Sequence, residues 1–222
     1  MKQKLLIILL VLSPMVSMAQ NSWVTPQAKK STETVKKAKK VKEKVENDKD
    51  APYLAGAVPE KDGKVVFSRT IDTKGMTDKQ AFDIVYKELE RLTEGKNQTD
   101  RSKIAIYNAE QDSIIATFCE WLVFADKFLV LDRSQFSYLL IANFKNGKVN
   151  VEMSRLVYDY GTDKDRERYV AEKLITDKQM LAKGGKKLKK TNRKFRVATV
   201  DRMNEVLDSI ENALSGKANI TE

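Results

Sequence analysis

Residues 135–157 read QFSYLLIANFKNGKVNVEMSRLV. Ahead of the Asn146-Gly147 pair, Phe136, Tyr138, Leu140 and Phe144 share one parity. Ser137, Leu139, Ile141 and Asn143 take the other. Beyond it, Val149, Val151, Met153 and Val157 alternate along a second run. A repeat of two residues marks a strand with unlike faces. Asparagine and glycine tolerate the positive φ that a tight type I′ turn demands, so the two runs fold back as a hairpin.

The pattern extends upstream. Ser113–Ala125 carries Ile114, Ile115, Phe118, Trp121, Val123 and Phe124, Ala125-Asp126-Lys127 has turn character, and Phe128–Phe144 is strand-rich. An antiparallel meander of three or four long strands results. Earlier still, Lys64–Asp72 reads as a strand, with Val65, Phe67 and Ile71 opposite Ser68, Thr70 and Asp72. Thr77 with Gln80 is a capping-box signal. Phe82, Val85, Leu89 and Leu92 follow at helical spacing, which predicts an amphipathic helix over residues 78–92. Glu94–Asp100 is a polar loop, and Ile104 and Ile106 open a short strand.

Arg166–Leu181 is mixed and helical in part, Gly184-Gly185 breaks it, and Lys183–Arg196 is loop-like and basic. Val200, Met203, Leu207, Ile210 and Leu214 mark a last amphipathic helix, with Thr199 as its N-cap and Gly216 at its end. No internal repeat is present. The order of elements predicts an α+β fold, an antiparallel sheet burying one face under two main helices. Val66, Leu140 and Leu207 are expected core positions.

The N-terminal part concerns address. Lys2 and Lys4 precede an unbroken apolar run, Leu5–Leu12, and Ser17-Met18-Ala19 places small residues before Gln20. This is the pattern of a secretory signal peptide over residues 1–19, cleaved between Ala19 and Gln20. The run is far short of the about 20 residues that span a bilayer. Gln20 is not cysteine, so an N-terminal lipid anchor is not expected. Residues 20–57 read as a charged spacer, helical or disordered. Ala28–Asp50 holds nine lysines and five acids, with only valine and alanine as apolar residues. The folded domain is expected over 58–214, followed by a short tail, 215–222.

The single cysteine, Cys119, precludes an intrachain disulfide and sits in an apolar stretch as a small hydrophobe. The chain contains no histidine, which removes the commonest general base and metal ligand and every nucleophile–histidine pair. There is no Gly-x-Ser-x-Gly elbow, phosphate-cradling loop or Cys-x-x-Cys. Glu110/Asp112 and Asp163/Asp165 are close carboxylate pairs in polar, turn-like segments and read as solvated charges. Neither a cofactor nor a metal is expected, and the reading is of a protein that is not an enzyme.

Two clusters remain. Lys183, Lys186, Lys187, Lys189, Lys190, Arg193, Lys194 and Arg196 put eight cations and no acid into fourteen residues. The segment is either a solvated loop or an anion-contacting patch, in which Arg193 and Arg196 could grip phosphate bidentately. The aromatics Trp121, Phe124, Phe128, Phe136, Tyr138 and Phe144 are either sheet core or the lining of a cavity for an apolar ligand.

Several segments together resemble a known family: VPEKDGKVVFSRTID (58–72), EWLVF (120–124), Leu131-Asp132-Arg133, NGKVNVEMSR (146–155), RYVAEKLITD (168–177) and KFRVATVD (194–201). It is a domain of unknown function with a TATA-binding-protein-like fold, found in exported proteins of Gram-negative bacteria. The resemblance implies a sheet curved around helices and implies no activity. It does not carry DNA binding over, because one fold hosts many functions.

The expected role is therefore an exported, non-catalytic binding or structural module in the periplasm, at the outer membrane or outside the cell. Its formal charge is +10, and loss of Lys2 and Lys4 leaves +8. That balance favours an anionic envelope component, a glycolipid or an acidic protein, and an exported chain meets these far more than nucleic acid. A carrier of an apolar ligand is the alternative. Mass spectrometry of the secreted form should find Gln20 at the N-terminus; intact Met1 in a cytoplasmic fraction would contradict this.

Overall fold

The computed structural model describes residues 49–108, 113–127, 130–182 and 184–217. The signal segment with Ala19 and Gln20, most of the spacer, Glu110, Asp112, Phe128, Lys183 and residues 218–222 lie outside the described residues. The described residues all fall in one compact unit, Val45–Glu222.

A small hairpin comes first, β1 (Glu60–Lys61) and β2 (Lys64–Val65). Asp62 and Gly63 join them with φ of 51° and 71°, the double positive φ of a type I′ turn. The main sheet comprises β3 (Phe67–Asp72), β4 (Lys103–Asn108), β5 (Ser113–Lys127), β6 (Val130–Lys145), β7 (Lys148–Tyr160) and β8 (Glu167–Val170). Its order is β3-β7-β6-β5-β4, antiparallel throughout, with β8 on the far end of β7. The helices are α1 (Asp78–Thr93), the short α2 (Ala171–Leu174) and α3 (Asp177–Met180), and α4 (Arg193–Leu214).

The expected hairpin forms where the sequence put it. Lys145 pairs Lys148, and Asn146 and Gly147 take φ of 54° and 70°. Phe136, Tyr138, Leu140, Ala142 and Phe144 point into the core from β6, and Ile114, Ala116, Phe118 and Leu122 from β5. Phe82, Val85, Leu89 and Leu92 of α1 and Val200, Met203, Leu207 and Ile210 of α4 close over that face. The capping box is made: Gln80 N–H donates to Thr77 Oγ1 at 3.2 Å and Thr77 N–H to Gln80 Oε1 at 2.9 Å.

Several local expectations are corrected. Ala125, Asp126 and Lys127 do not turn; they pair with Asp132, Leu131 and Val130, after a bulge in β5 between Val123 and Ala125. On β7, Arg155 sits at φ 56°, where the β6–β7 register shifts. The extra residue reverses the pleat, so Leu156 and Tyr158 take the core face and Val157 is left half-buried opposite. Thr199 is not an N-cap. α4 begins at Arg193, and Thr199 lies buried in its interior, sharing a 2.7 Å hydrogen bond with Tyr158 Oη. Val66 falls between β2 and β3 and is half-buried, whereas Val65 is fully buried. Contacts of the domain also start ahead of Val58. Asp50 is buried and ion-paired with Arg193, and Tyr53 Oη donates to Asp201 Oδ1 at 2.9 Å.

Leu140→Asp or Leu207→Asp places an unpaired charge inside the core and should cost about 4 kcal/mol or more. Val66→Asp should cost markedly less, because its side chain can reach water. Chemical denaturation of the three variants checks this, and equal losses would contradict the assigned core.

Candidate functional site

The basic segment is an ordered hairpin with a helix start behind it. Leu181 bridges Leu188, Ala182 N–H donates to the Lys187 carbonyl at 2.9 Å, and Lys189 N–H to the Met180 carbonyl at 2.8 Å. Gly184 and Gly185 turn the chain at φ of 92° and 71°, which residues with a Cβ rarely adopt. Leu188 is only 3 % exposed and anchors the returning limb. The hairpin thus stands on a buried leucine while Lys186, Lys189 and Lys190 face solvent.

Not all eight cations are available to a partner. Arg196 is 0 % exposed. Its guanidinium donates to the carbonyls of Tyr53 (2.7 Å), Leu54 (2.7 Å) and Ile175 (2.6 Å) and to Asp177 Oδ1 (2.6 Å). The expectation that Arg196 grips phosphate is therefore wrong, because the side chain is fully buried and all three guanidinium nitrogens donate inside the fold. Arg193 holds the buried Asp50, which likewise removes it from a bidentate phosphate role. Lys194 donates to Asp132 Oδ2 at 2.7 Å and to Tyr160 Oη at 2.6 Å. Its ammonium also lies 4.8 Å from the Phe124 ring centre and 4.2 Å from that of Tyr160. Burial pulls the Lys194 pKa down, but the bonds to Asp132 and Tyr160 outweigh it and hold it above the usual lysine value. None of Lys186, Lys189 and Lys190 is ion-paired among the described residues; Lys189 Nζ donates to the Gln179 carbonyl at 2.7 Å.

The other candidates are structural. Phe118 stacks on Tyr138 at 4.9 Å and Phe136 on Tyr158 at 4.9 Å, and Phe124 meets Phe195 edge-on at 4.7 Å. These rings pack on one another. Arg133 covers the Trp121 ring at 3.8 Å. Cys119 is buried, with Arg101 Nη2 2.8 Å from its sulfur. Asp163 pairs with Arg166 in an exposed turn, and Asp165 accepts from Thr162 there.

A groove of about 1010 Å3 went unnoticed in the sequence. Its floor is β5 at Glu120–Val123, one wall is α4 from Asp201 to Asn212, and the other is the end of α1 with Gly95–Gln98. Glu120 is buried at the floor, where Arg202 Nε donates to Oε1 at 2.9 Å and Gln98 also donates to it. Arg202 Nη1 reaches Glu205 at 2.9 Å. The Tyr138 hydroxyl lies buried against this pair without a hydrogen bond of regular geometry. Burial, and then the Glu120 charge, hold its proton on well above the usual phenol range. Two signals could have found the groove. Glu120 shares the inward parity of Phe118 and Leu122, and Asp201, Glu205, Asp208 and Asn212 form a polar stripe at helical spacing.

Among the described residues no group of three or more acidic or cysteine side chains could hold a metal, and no helix is long and apolar enough to cross a membrane.

Comparison with known proteins fixes the family. Residues 67–159 match the family model described as domain of unknown function (DUF4468) with TBP-like fold. A DUF4468 family protein of Bacteroides ovatus ATCC 8483, known from a crystal structure, is 35% identical. The match covers 78% of this chain and 98% of that one, with a TM-score of 0.71. A TBP-like protein of Parabacteroides distasonis ATCC 8503 shares the fold at 19% identity and a TM-score of 0.56, over 72% of this chain and 97% of that one. No curated protein matches. The chain belongs to the DUF4468 family, and its α+β antiparallel sheet with helices is the TBP-like fold.

Proposed function

We propose that this DUF4468 protein is an exported, non-catalytic binding module that engages an anionic envelope component, a phosphate-bearing glycolipid, through the 184–190 hairpin. The observation that carries the reading is the division of labour among the cations. Arg193, Lys194 and Arg196 are consumed within the fold, while Lys186, Lys189 and Lys190 stand exposed without a carboxylate partner among the described residues. Lysines on a fixed hairpin present point charges without a large ordering cost on binding. The interaction is electrostatic and sequence-tolerant, which suits a repeating headgroup surface. The alternative, a carrier of an apolar ligand under the sheet, has less behind it, since the aromatic rings pack on one another and the groove mixes polar and charged side chains with apolar ones.

Binding of the mature protein to vesicles bearing an anionic glycolipid is the test, at low and high salt and with neutral vesicles as control. Wild-type binding should fall steeply as salt rises, because exposed charges are screened within about 10 Å at 0.1 M. The variant Lys186→Gln, Lys189→Gln, Lys190→Gln should lose most low-salt binding with little change in melting, each exposed charge contributing about 1 kcal/mol or less to folding. Equal binding by wild type and variant at low salt would overturn the reading.

A further inference from the structure

The groove over β5 is a site separate from the basic hairpin, and its chemistry differs. Its charges are nearly all compensated within the protein. Glu120 and Glu205 are held by Arg202, Asp208 by Arg69 at 2.6 Å, and Arg91 by Glu88 at 2.6 Å. Asp201 accepts from Tyr53. Such a lining offers no strong net field to an ion. Its free amide groups would be left unsatisfied against an apolar ligand, which disfavours that class as well.

Uncommitted capacity remains in the amides. The side chains of Asn97, Asn204 and Asn212 line the groove, and none makes a hydrogen bond among the described residues. Asn97 is held at the rim because its carbonyl accepts from Trp121 N–H at 2.8 Å, which ties the loop to β5. Asn204 and Asn212 are carried by α4 on the opposite wall. Each amide presents two donors and an acceptor with two lone pairs. Three such groups around an open, charge-compensated trough match a ligand whose every substituent both donates and accepts.

We infer that the groove binds a neutral polyhydroxylated ligand, an oligosaccharide, across Asn97, Asn204 and Asn212. The Glu120–Arg202 pair fixes the floor beneath it rather than contacting the ligand as a free charge. At about 1010 Å3 the groove reaches the upper end of small-ligand pockets, roughly 300–1000 Å3, so it suits several linked rings better than one. The inference does not rest on the hairpin reading.

The test uses the mature protein and a panel of linear neutral hexose oligosaccharides of three to six units, α- and β-linked, read by titration calorimetry. Dextran sulfate serves as the polyanion control. At least one neutral oligosaccharide should bind, and its affinity should hold when salt is raised, because hydrogen bonds between neutral groups are not screened. The triple variant Asn97→Ala, Asn204→Ala, Asn212→Ala should bind about tenfold or more weaker, as expected for the loss of several hydrogen bonds of ordinary strength. Its melting temperature should be unchanged, since these side chains make no hydrogen bond among the described residues. Absence of binding by every neutral oligosaccharide would overturn the inference, as would binding that survives in the triple variant or falls with salt as dextran sulfate binding does. The lysine variant should bind the oligosaccharide normally, so failure at the hairpin and failure in the groove are told apart.

Discussion

The fully buried guanidinium of Arg196 is the constraint on which the rest of this structure depends. It donates to two carbonyls of the segment before β1, to the Ile175 carbonyl after α2, and to Asp177 at the start of α3. A buried charge is tolerated only when it is paired and hydrogen-bonded, and here Asp177 pairs with it while all three guanidinium nitrogens donate. The bonds also have a topological effect. Asp177 and Arg196 flank residues 178–195, so their ion pair closes the base of the loop that contains the basic hairpin. Leu188 then seats the hairpin itself. The exposed lysines are held out by cations that are held in.

A second constraint comes from the pleat. Three register shifts, between Ile104 and Ile106 on β4, near Phe124 on β5 and at Arg155 on β7, each insert a residue into the ladder. The Arg155 bulge carries Tyr158 to the core face, where it meets Thr199 of α4 and stacks on Phe136. Its hydroxyl on Thr199 and its ring edge-on to Phe195 at 5.3 Å tie the end of β7 to the last helix. Further along that helix, Arg69 of β3 reaches Asp208 and Glu211, and Glu88 and Arg91 of α1 meet Ser209. With α4 fixed at these points, its polar stripe stands over β5 and the groove keeps its width.

Much of this was readable from residues. Period-two patterning around Asn146-Gly147 and the Thr77/Gln80 box gave the meander and the first helix, because those signals are local. The β1–β2 hairpin has an equally local signal in Asp62-Gly63, whose residues take positive φ. Bulges were not readable: nothing in the identity of Arg155 announces a positive φ, and Val157 looks like a core valine until the register slips. Burial of Arg196 was hidden for another reason. In sequence it is one of eight like charges, and only the distant carbonyls of Tyr53, Leu54 and Ile175 distinguish it from Lys190. The groove was hidden likewise, since its walls come from residues 91–98, 120–123 and 201–212.

The central claim is that the basic segment divides into cations that build the fold and cations that stand exposed to solvent. Guanidinium chloride denaturation of Arg196→Met beside Lys190→Met tests it most directly. Removing Arg196 leaves Asp177 and three carbonyls without their donor, and the account predicts a loss of about 3–5 kcal/mol. Lys190→Met should stay within about 0.5 kcal/mol of wild type. Equal, small losses in the two variants would contradict the account, for Arg196 would then be one more solvated charge.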